Sequence, residues 1–261
     1  MTEVLWWKGD HDGVRLGFTS AAAGNLGAHV GDAAEAEQNR ARLASQLLSP
    51  ANPSPAEKSA PDSAWDKSAV QGQCESSGFR FLHQVHSTEV LDAGEVRDEV
   101  PTADAWVSAG GAAPLGVLVA DCLPVLFVGT GAAGPVTAAA HAGREGLLSG
   151  VLERTVEALQ ARGAEEIHAW IGPAACGACY EVPQAMVDEV AAARPALVST
   201  TSWGTPALNL RAEAAAVLRT HGAEVHDVGG CTMEDPQLFS HRRTQQQGAP
   251  AGRIAGLVWR A

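Results

Sequence analysis

Between residues 79 and 140 the chain is a succession of short apolar runs broken by glycine, proline and aspartate, and this spacing limits the fold more than any other feature. Runs at 79–83, 88–92, 103–108, 115–120, 124–128 and 136–140 have the length and composition of strands, and several gaps between them are hairpin-length. Further strands are expected at 14–19, 166–171, 224–228 and 253–259. Helical patterning covers about 33–48, with Asp32 placed as N-cap, Leu43, Leu47 and Leu48 on one side, and Arg40 and Arg42 towards solvent. A helix at about 146–162 would bury Leu147, Leu148, Val151, Leu152, Val156 and Leu159, and others are expected near 183–193 and 209–221. Strands and helices interleave without a repeat period, so the class is mixed α/β (α+β) and not a regular doubly wound sheet.

A chain of 261 residues is long enough to bury a full core. From Ser49 to Gly78 the composition changes: Pro50, Pro53, Pro55 and Pro61 lie among Ser, Ala, Asp and Lys, with Trp65 almost the sole large apolar residue. Residues 49–78 therefore read as an insertion into one domain spanning 1–261, because neither flank is complete without the other. Lys plus Arg number 18 against 30 Asp plus Glu, a formal charge of −12, which argues against nucleic acid or an anionic membrane as partner. An anionic small molecule would need a local cluster of donors. No apolar stretch reaches the ~20 residues of a membrane span, and the first ten residues lack a signal-peptide pattern. The five scattered cysteines (Cys74, Cys122, Cys176, Cys179 and Cys231) do not resemble a disulfide scaffold, and the expected location is cytoplasmic.

Three segments end or begin at apolar runs and carry metal-capable side chains: Gln84-Val85-His86, Ala120-Asp121-Cys122-Leu123-Pro124 and Ala140-His141-Ala142-Gly143. They are too far apart in sequence for a local zinc knuckle, but a sheet could bring them to one rim. Two imidazoles and a thiolate suit Zn2+, and three protein ligands leave a position open, as in a catalytic site. Pro124 implies that a strand ends or bulges beside Cys122. Asp121 needs a partner at that strand end, and a bond to a ligating imidazole would supply one. His83 and His86 should lie on opposite faces of an extended segment, and His86 is preferred because Gln84 shares its face and could orient a ligand. The turn after His141 leads into a helix N-terminus, a setting suited to phosphate or an oxyanion.

Cys176-x-x-Cys179 has no second C-x-x-C to complete a zinc clamp and follows Gly-Pro in a loop, so it reads as structural or incidental. His241, Arg242, Arg243 and Arg253 form a basic group in an acidic chain, either a solvated patch or an anion-binding wall.

The ordered set Asn-Leu-Gly-x-His-x-Gly-Asp, Gln-Val-His, Ala-Asp-Cys-Leu-Pro-Val, His-Ala-Gly, Gly-Pro…Tyr-Glu-Val, Cys-Thr and Phe-Ser-x-Arg-Arg…Gly-Arg resembles the laccase-domain family. That family is also called the multicopper polyphenol oxidase or YfiH-like purine nucleoside phosphorylase family. The matches run from residue 17 to residue 259. The resemblance implies a four-layer α/β/β/α sandwich and a zinc site at His86, Cys122 and His141. It also implies phosphorolysis of adenosine, inosine, guanosine and methylthioadenosine, and deamination of adenosine. An older assignment is copper-dependent phenol oxidation, and bacterial members have been linked to editing of peptidoglycan precursors. On this reading the cofactor is Zn2+, with Cu2+ possible in vitro, and the chain is a monomer or homodimer acting on a nucleoside and phosphate. Asp121 and His29 are candidates for proton transfer, Arg243 for phosphate, and Asn25 and Gln84 for substrate binding.

Two departures bear on anion handling. Where the family usually reads His-Ala-Gly-Trp-Arg-Gly, this chain has Arg144-Glu145 in place of Trp-Arg, and a glutamate in that turn is expected to weaken phosphate binding tenfold or more. The tail reads Phe-Ser-His where Phe-Ser-Tyr is common. The copper-oxidase alternative needs several coppers, yet there are nine histidines and no H-x-H. A further alternative is a Cys–His hydrolase with Cys122 as nucleophile and His141 as base, acting on an amide.

Overall fold

The computed structural model describes residues 3–49, 78–98 and 100–260; the insertion expected at 49–78 lies, apart from its two end residues, outside them. In chain order the elements are β1 (Leu5–His11), β2 (Val14–Thr19), α1 (Ala33–Leu48), β3 (Val90–Asp92), β4 (Ala105–Ala109), β5 (Leu115–Val119), β6 (Leu123–Thr130) and β7 (Val136–Ala142). There follow α2 (Arg144–Ser149), α3 (Val151–Gln160), β8 (Glu166–Ile171), α4 (Gln184–Ala191), β9 (Val198–Thr200), β10 (Pro206–Leu208), α5 (Leu210–Thr220), β11 (Glu224–Asp227), α6 (His241–Gln247) and β12 (Ile254–Arg260).

Two sheets dominate. One has four strands in the order β1-β2-β12-β5, all antiparallel. The other has six, in the order β11-β8-β6-β7-β4-β3, antiparallel at its centre and parallel at both edges. Their facing sides share a core in which Leu16, Phe18, Val117 and Val258 meet Trp106, Leu126, Val128 and Trp170. Helix α1 covers the outer face of the smaller sheet, where Leu43 packs with Leu118, Leu257 and Trp259. Helices α2 to α5 cover the outer face of the larger one, bringing Leu147, Leu152, Leu159, Val187 and Leu218 onto Val125, Phe127, Ala138 and Ile171. The result is the expected four-layer α/β/β/α sandwich. Because β6 is buried on both faces, Leu126 and Val128 on one side and Val125 and Phe127 on the other, its sequence reads as a continuous apolar run.

The structure departs from the sequence reading at several points. β1 was not expected; it pairs with β2 through a turn at Asp12 (φ 50°) and Gly13 (φ 74°), and Asp-Gly is the local signal for such a hairpin. The helix expected at 146–162 is two, α2 and α3, split where Gly150 turns left-handed (φ 104°). The run 79–83 forms only isolated bridges, Arg80 to Leu115 and His83 to Thr102. Arg40 does not point to solvent: its Nε donates to the Leu26 carbonyl at 2.8 Å and its guanidinium lies 4.6 Å from the Phe81 ring. Helix α6, capped by the Ser240 hydroxyl, occupies what read as a basic tail. Among the described residues no helix is long and apolar enough to cross a membrane.

Candidate functional site

The runs 115–120 and 124–128 form strands of different sheets, β5 and β6, so residues 120–122 are where the chain crosses between them. Asp121 makes that crossing with φ 87°, a left-handed value uncommon for a residue with a side chain. Pro124 therefore stands at the start of β6, not at a strand end, and pairs with His141 in β7. Antiparallel pairing then puts the beginning of β6, the end of β7 and the beginning of β4 at one rim. The turn before β3 closes over it.

This rim gathers His86, Cys122 and His141: one ligand atom from each lies within 4.8 Å of the others. His86 Nε2 is 3.6 Å from Cys122 Sγ, and the two imidazoles meet edge to face with centroids 4.8 Å apart. It is His86 and not His83 that joins the group, because His86 is left-handed (φ 64°) and leaves the extended alternation assumed from sequence. Two of the three non-glycine residues with positive φ among the described residues, His86 and Asp121, therefore sit at this site; such backbone costs on the order of 1–3 kcal/mol each and persists only where surroundings enforce it. His141 is buried, Cys122 half-buried and His86 exposed, so the cluster opens to solvent on the His86 side.

What enforces the geometry is Asp104, wholly buried just before β4. Its carboxylate accepts the backbone N–H groups of Val85 (3.2 Å), His86 (2.9 Å) and Ser87 (2.6 Å), the Ser87 hydroxyl (2.7 Å) and, at 2.8 Å, Nδ1 of His141. One carboxylate thus shapes the turn that carries His86 and aims Nε2 of His141 at the cluster. Burial opposes its charge, but the bonds from His141 and Ser87 outweigh burial and hold the carboxyl at about 2. Burial likewise opposes charge on His141, yet Asp104 and Cys122 raise it to about 9. Burial also disfavours the Cys122 thiolate, and the two imidazoles reverse that and bring it to about 6. Bonding to Cys122 raises His86 in turn.

The imidazole partner expected at Asp121 is therefore Asp104, which sequence reasoning missed although it stands inside the apolar run 103–108. Asp121 faces the other way: its oxygens accept the Thr232 hydroxyl (2.6 Å) and the Arg242 backbone N–H (2.8 Å). Gln84 is a brace and not a free ligand-orienting group, since both ends of its amide bond the Leu118 backbone (2.7 and 2.8 Å). Asn25 is similarly spent on its own loop, accepting from Gly27 and Arg253 N–H and donating to the Gly27 and Val30 carbonyls.

Arg243, expected to hold phosphate, instead donates to the carbonyls of Asp235 and Leu238. The cations beside the cluster are others. Arg253 is half-buried, a setting that lowers its pKa, and it feels the charges of Cys122 and Asp121. Arg242 stacks 4.4 Å from the Tyr180 ring centroid and donates to the Glu181 carbonyl at 2.7 Å. Arg144 also acts on Tyr180, whose hydroxyl burial pushes up against the pull of both arginines. Glu145, expected to repel phosphate, is exposed and joined to Arg144 at 3.1 Å. His29 is part-buried, and burial, then Arg253 and Arg40, lower its pKa. An acidic protein thus keeps a local group of cations at this rim.

The donor set fits one zinc ion: two imidazoles, one of them oriented through its far nitrogen, and one lowered thiol. Gly143 supports the fit, since a Cβ there would lie 2.3 Å from His86 Cδ2 and 3.3 Å from Cys122 Sγ.

Residues 64–261 match the family model described as multi-copper polyphenol oxidoreductase laccase. A purine nucleoside phosphorylase of Mycobacterium tuberculosis is 41% identical over 240 residues, 90% of this chain and 84% of that protein. A purine nucleoside phosphorylase of Streptomyces coelicolor is 45% identical over 69% of this chain and 74% of its own. The crystal structure of a Neisseria meningitidis protein superposes with TM-score 0.75 at 30% identity, covering 99% of both chains.

Proposed function

Since the chain belongs to the multi-copper polyphenol oxidoreductase laccase family, we propose that it is a zinc-dependent purine nucleoside phosphorylase working at the His86–Cys122–His141 rim. The observation that carries this reading is the pairing of a metal-type donor set with cations beside it in a protein of net charge −12. Relatives bearing that name support it over most of the chain's length.

His86, Cys122 and His141 would hold the zinc ion, which would supply Lewis acidity at this rim. The chain's own residues do the rest. Asp104 keeps Nδ1 of His141 occupied so that Nε2 is the ligating nitrogen. Arg253 and Arg242 hold the phosphate that attacks the ribose anomeric carbon. Asp121 positions Arg242 through its backbone N–H. His29, kept towards its neutral form, moves the proton that accompanies departure of the purine base.

The test is incubation of zinc-replete protein with adenosine or inosine, with and without phosphate, and separation of free base from nucleoside. Phosphate-dependent release of base with ribose 1-phosphate supports the reading; no base under either condition refutes it. Adenosine deamination, implied by the family resemblance, would show as inosine formed without phosphate.

A second reading rests on its own observation. Cys122, held at about 6, stands with His86 at 3.6 Å and the Asp104–His141 pair beside it, the constellation of a cysteine nucleophile with oriented bases. A Cys–His amide hydrolase of that kind keeps its activity after chelation, and the zinc enzyme does not.

A further inference from the structure

Cys176-x-x-Cys179 is not the isolated pair it seemed in sequence. The loop after β8 brings both residues against Cys231, with Glu234 of the following turn, and one ligand atom from each of the four lies within 4.8 Å of the others. All three are free cysteines. Cys179 and Cys231 are buried, Cys176 is half-buried, and Glu234 closes the group from the solvent side. The N–H groups of Cys179 and Tyr180 both return to the Cys176 carbonyl at 2.9 Å, so the C-x-x-C folds into a tight turn. The Cys176 N–H points at Cys231 Sγ at 3.4 Å. A parallel bridge between Ala174 and Cys231 fixes the two segments against each other.

We infer that Cys176, Cys179, Cys231 and Glu234 form a second metal site, separate from the His86 rim, that takes one Zn2+. Three sulfurs select a soft or borderline ion, and the carboxylate as fourth donor favours zinc over Cu(I), which prefers sulfur alone. Four protein donors leave no open position, so this site is structural. Donors around a tetrahedral zinc with bonds of about 2.3 Å lie roughly 3.8 Å apart. The four residues therefore need to draw in by only about 1 Å.

The site has a consequence for the rim. The Ala175 N–H, next to Cys176, bonds the Asp121 carbonyl at 3.0 Å, and the Thr232 hydroxyl, next to Cys231, bonds the Asp121 carboxylate at 2.6 Å. An ion joining Cys176 to Cys231 thus clamps Asp121 from both sides, and Asp121 precedes Cys122. Zinc at the second site positions the first.

The test counts metal in the full chain, reduced, stripped by chelator and dialysed against Zn2+. Wild type is expected to hold two zinc ions per chain, and Cys122→Ser and Cys231→Ser one each. A Cys74→Ser/Cys122→Ser variant keeps only the three cluster cysteines, so on loading with Co2+ it should retain a thiolate-to-cobalt charge-transfer band. Where Cys231→Ser fails to fold, Cys176→Ser at the half-buried position gives the same readout. The inference falls if the double variant binds cobalt without that band, or if neither cluster variant loses an equivalent relative to wild type. It also falls if the protein as purified carries a disulfide between two of the three cysteines.

Discussion

Asp104 Oδ1 lies 2.8 Å from His141 Nδ1, and the same carboxylate takes the N–H groups of residues 85, 86 and 87. One buried charge therefore sets both the direction of His141 and the left-handed turn that presents His86. Asp104→Asn keeps the shape but turns one oxygen into an NH2 that meets donors in either orientation: the Val85 and Ser87 N–H groups on one side, or the His86 N–H and His141 Nδ1 on the other. Breaking a buried pair of this kind costs roughly 3–5 kcal/mol, and losing the partner of a ligating histidine costs about 10–100-fold in metal affinity. Urea unfolding and competition with a zinc chelator check the two effects. Unchanged zinc affinity would show that the pair does not orient the ligand.

Gly143→Ala tests the packing of the rim. Its φ of −66° suits any residue, so the backbone tolerates alanine. The added Cβ, however, would lie 2.3 Å from His86 Cδ2 and must displace that ring. The expected outcome is loss of one zinc equivalent relative to wild type, and of activity, with a small change in melting temperature. A variant that binds as many equivalents as wild type would place the ligating nitrogen away from Gly143.

The metal-free protein should lose stability on the acid side and hold it through neutral pH. Asp104 is lowered from 3.8 to about 2, so its contribution is complete above pH ~4 and is lost as pH falls towards 2, amounting to about 2 kcal/mol. His141 is raised from 6.5 to about 9, so its contribution is complete below pH ~6.5 and is lost as pH rises through 9. Cys122 runs the other way over that window: lowered from 9.0 to about 6, it contributes stability that grows as pH rises from about 6 to 9 and offsets the loss from His141. Denaturation midpoints of stripped protein should therefore rise to about pH 4 and stay nearly level from there to about pH 9. A clear fall between about pH 6.5 and 9 would show that Cys122 and His141 do not titrate as a pair.

Arg253→Gln and Arg243→Gln should separate binding from bracing. Arg253 lies within electrostatic reach of Cys122 and Asp121, and its loss should raise the phosphate KM tenfold or more. Arg243 holds the carbonyls of Asp235 and Leu238, so its loss should lower the melting temperature and leave KM nearly unchanged. Steady-state kinetics in phosphate with parallel thermal melts distinguish them, and the reverse pattern would restore Arg243 as the phosphate ligand.

Glu145→Gln should matter less than the sequence suggests. The carboxylate is exposed and engaged with Arg144, and surface pairs are worth about 0–1 kcal/mol. A change of at most about fivefold in phosphate KM is expected. A drop of tenfold or more would show that Glu145 does act on the anion.

Several of these residues were legible in sequence for a chemical reason. Cys122 and His141 flank apolar runs with the length and flanking breakers of strands, and strand ends meet at rims. The helix cap at Asp32 is equally local: its carboxylate accepts the Ala34 N–H at 2.8 Å. Asp104 could have been suspected as a charge inside the run 103–108. Its partners could not, because they come from residues 85–87 and 141. Choosing among Arg242, Arg243 and Arg253 was likewise beyond a linear reading, since adjacent residues on α6 engage different segments: Arg242 stacks on Tyr180 and bonds the Glu181 carbonyl, whereas Arg243 binds the carbonyls of Asp235 and Leu238.

Alternation and helical periodicity, which are burial written into neighbouring residues, determined the layers of this protein and the residue types at its rim. Tertiary structure alone decided which carboxylate holds His141, which arginines remain available to an anion, and that Cys176, Cys179 and Cys231 converge. Each of those outcomes depends on a hydrogen bond or sulfur contact between segments distant in the chain. Such contacts depend on register and crossing geometry that no local pattern encodes.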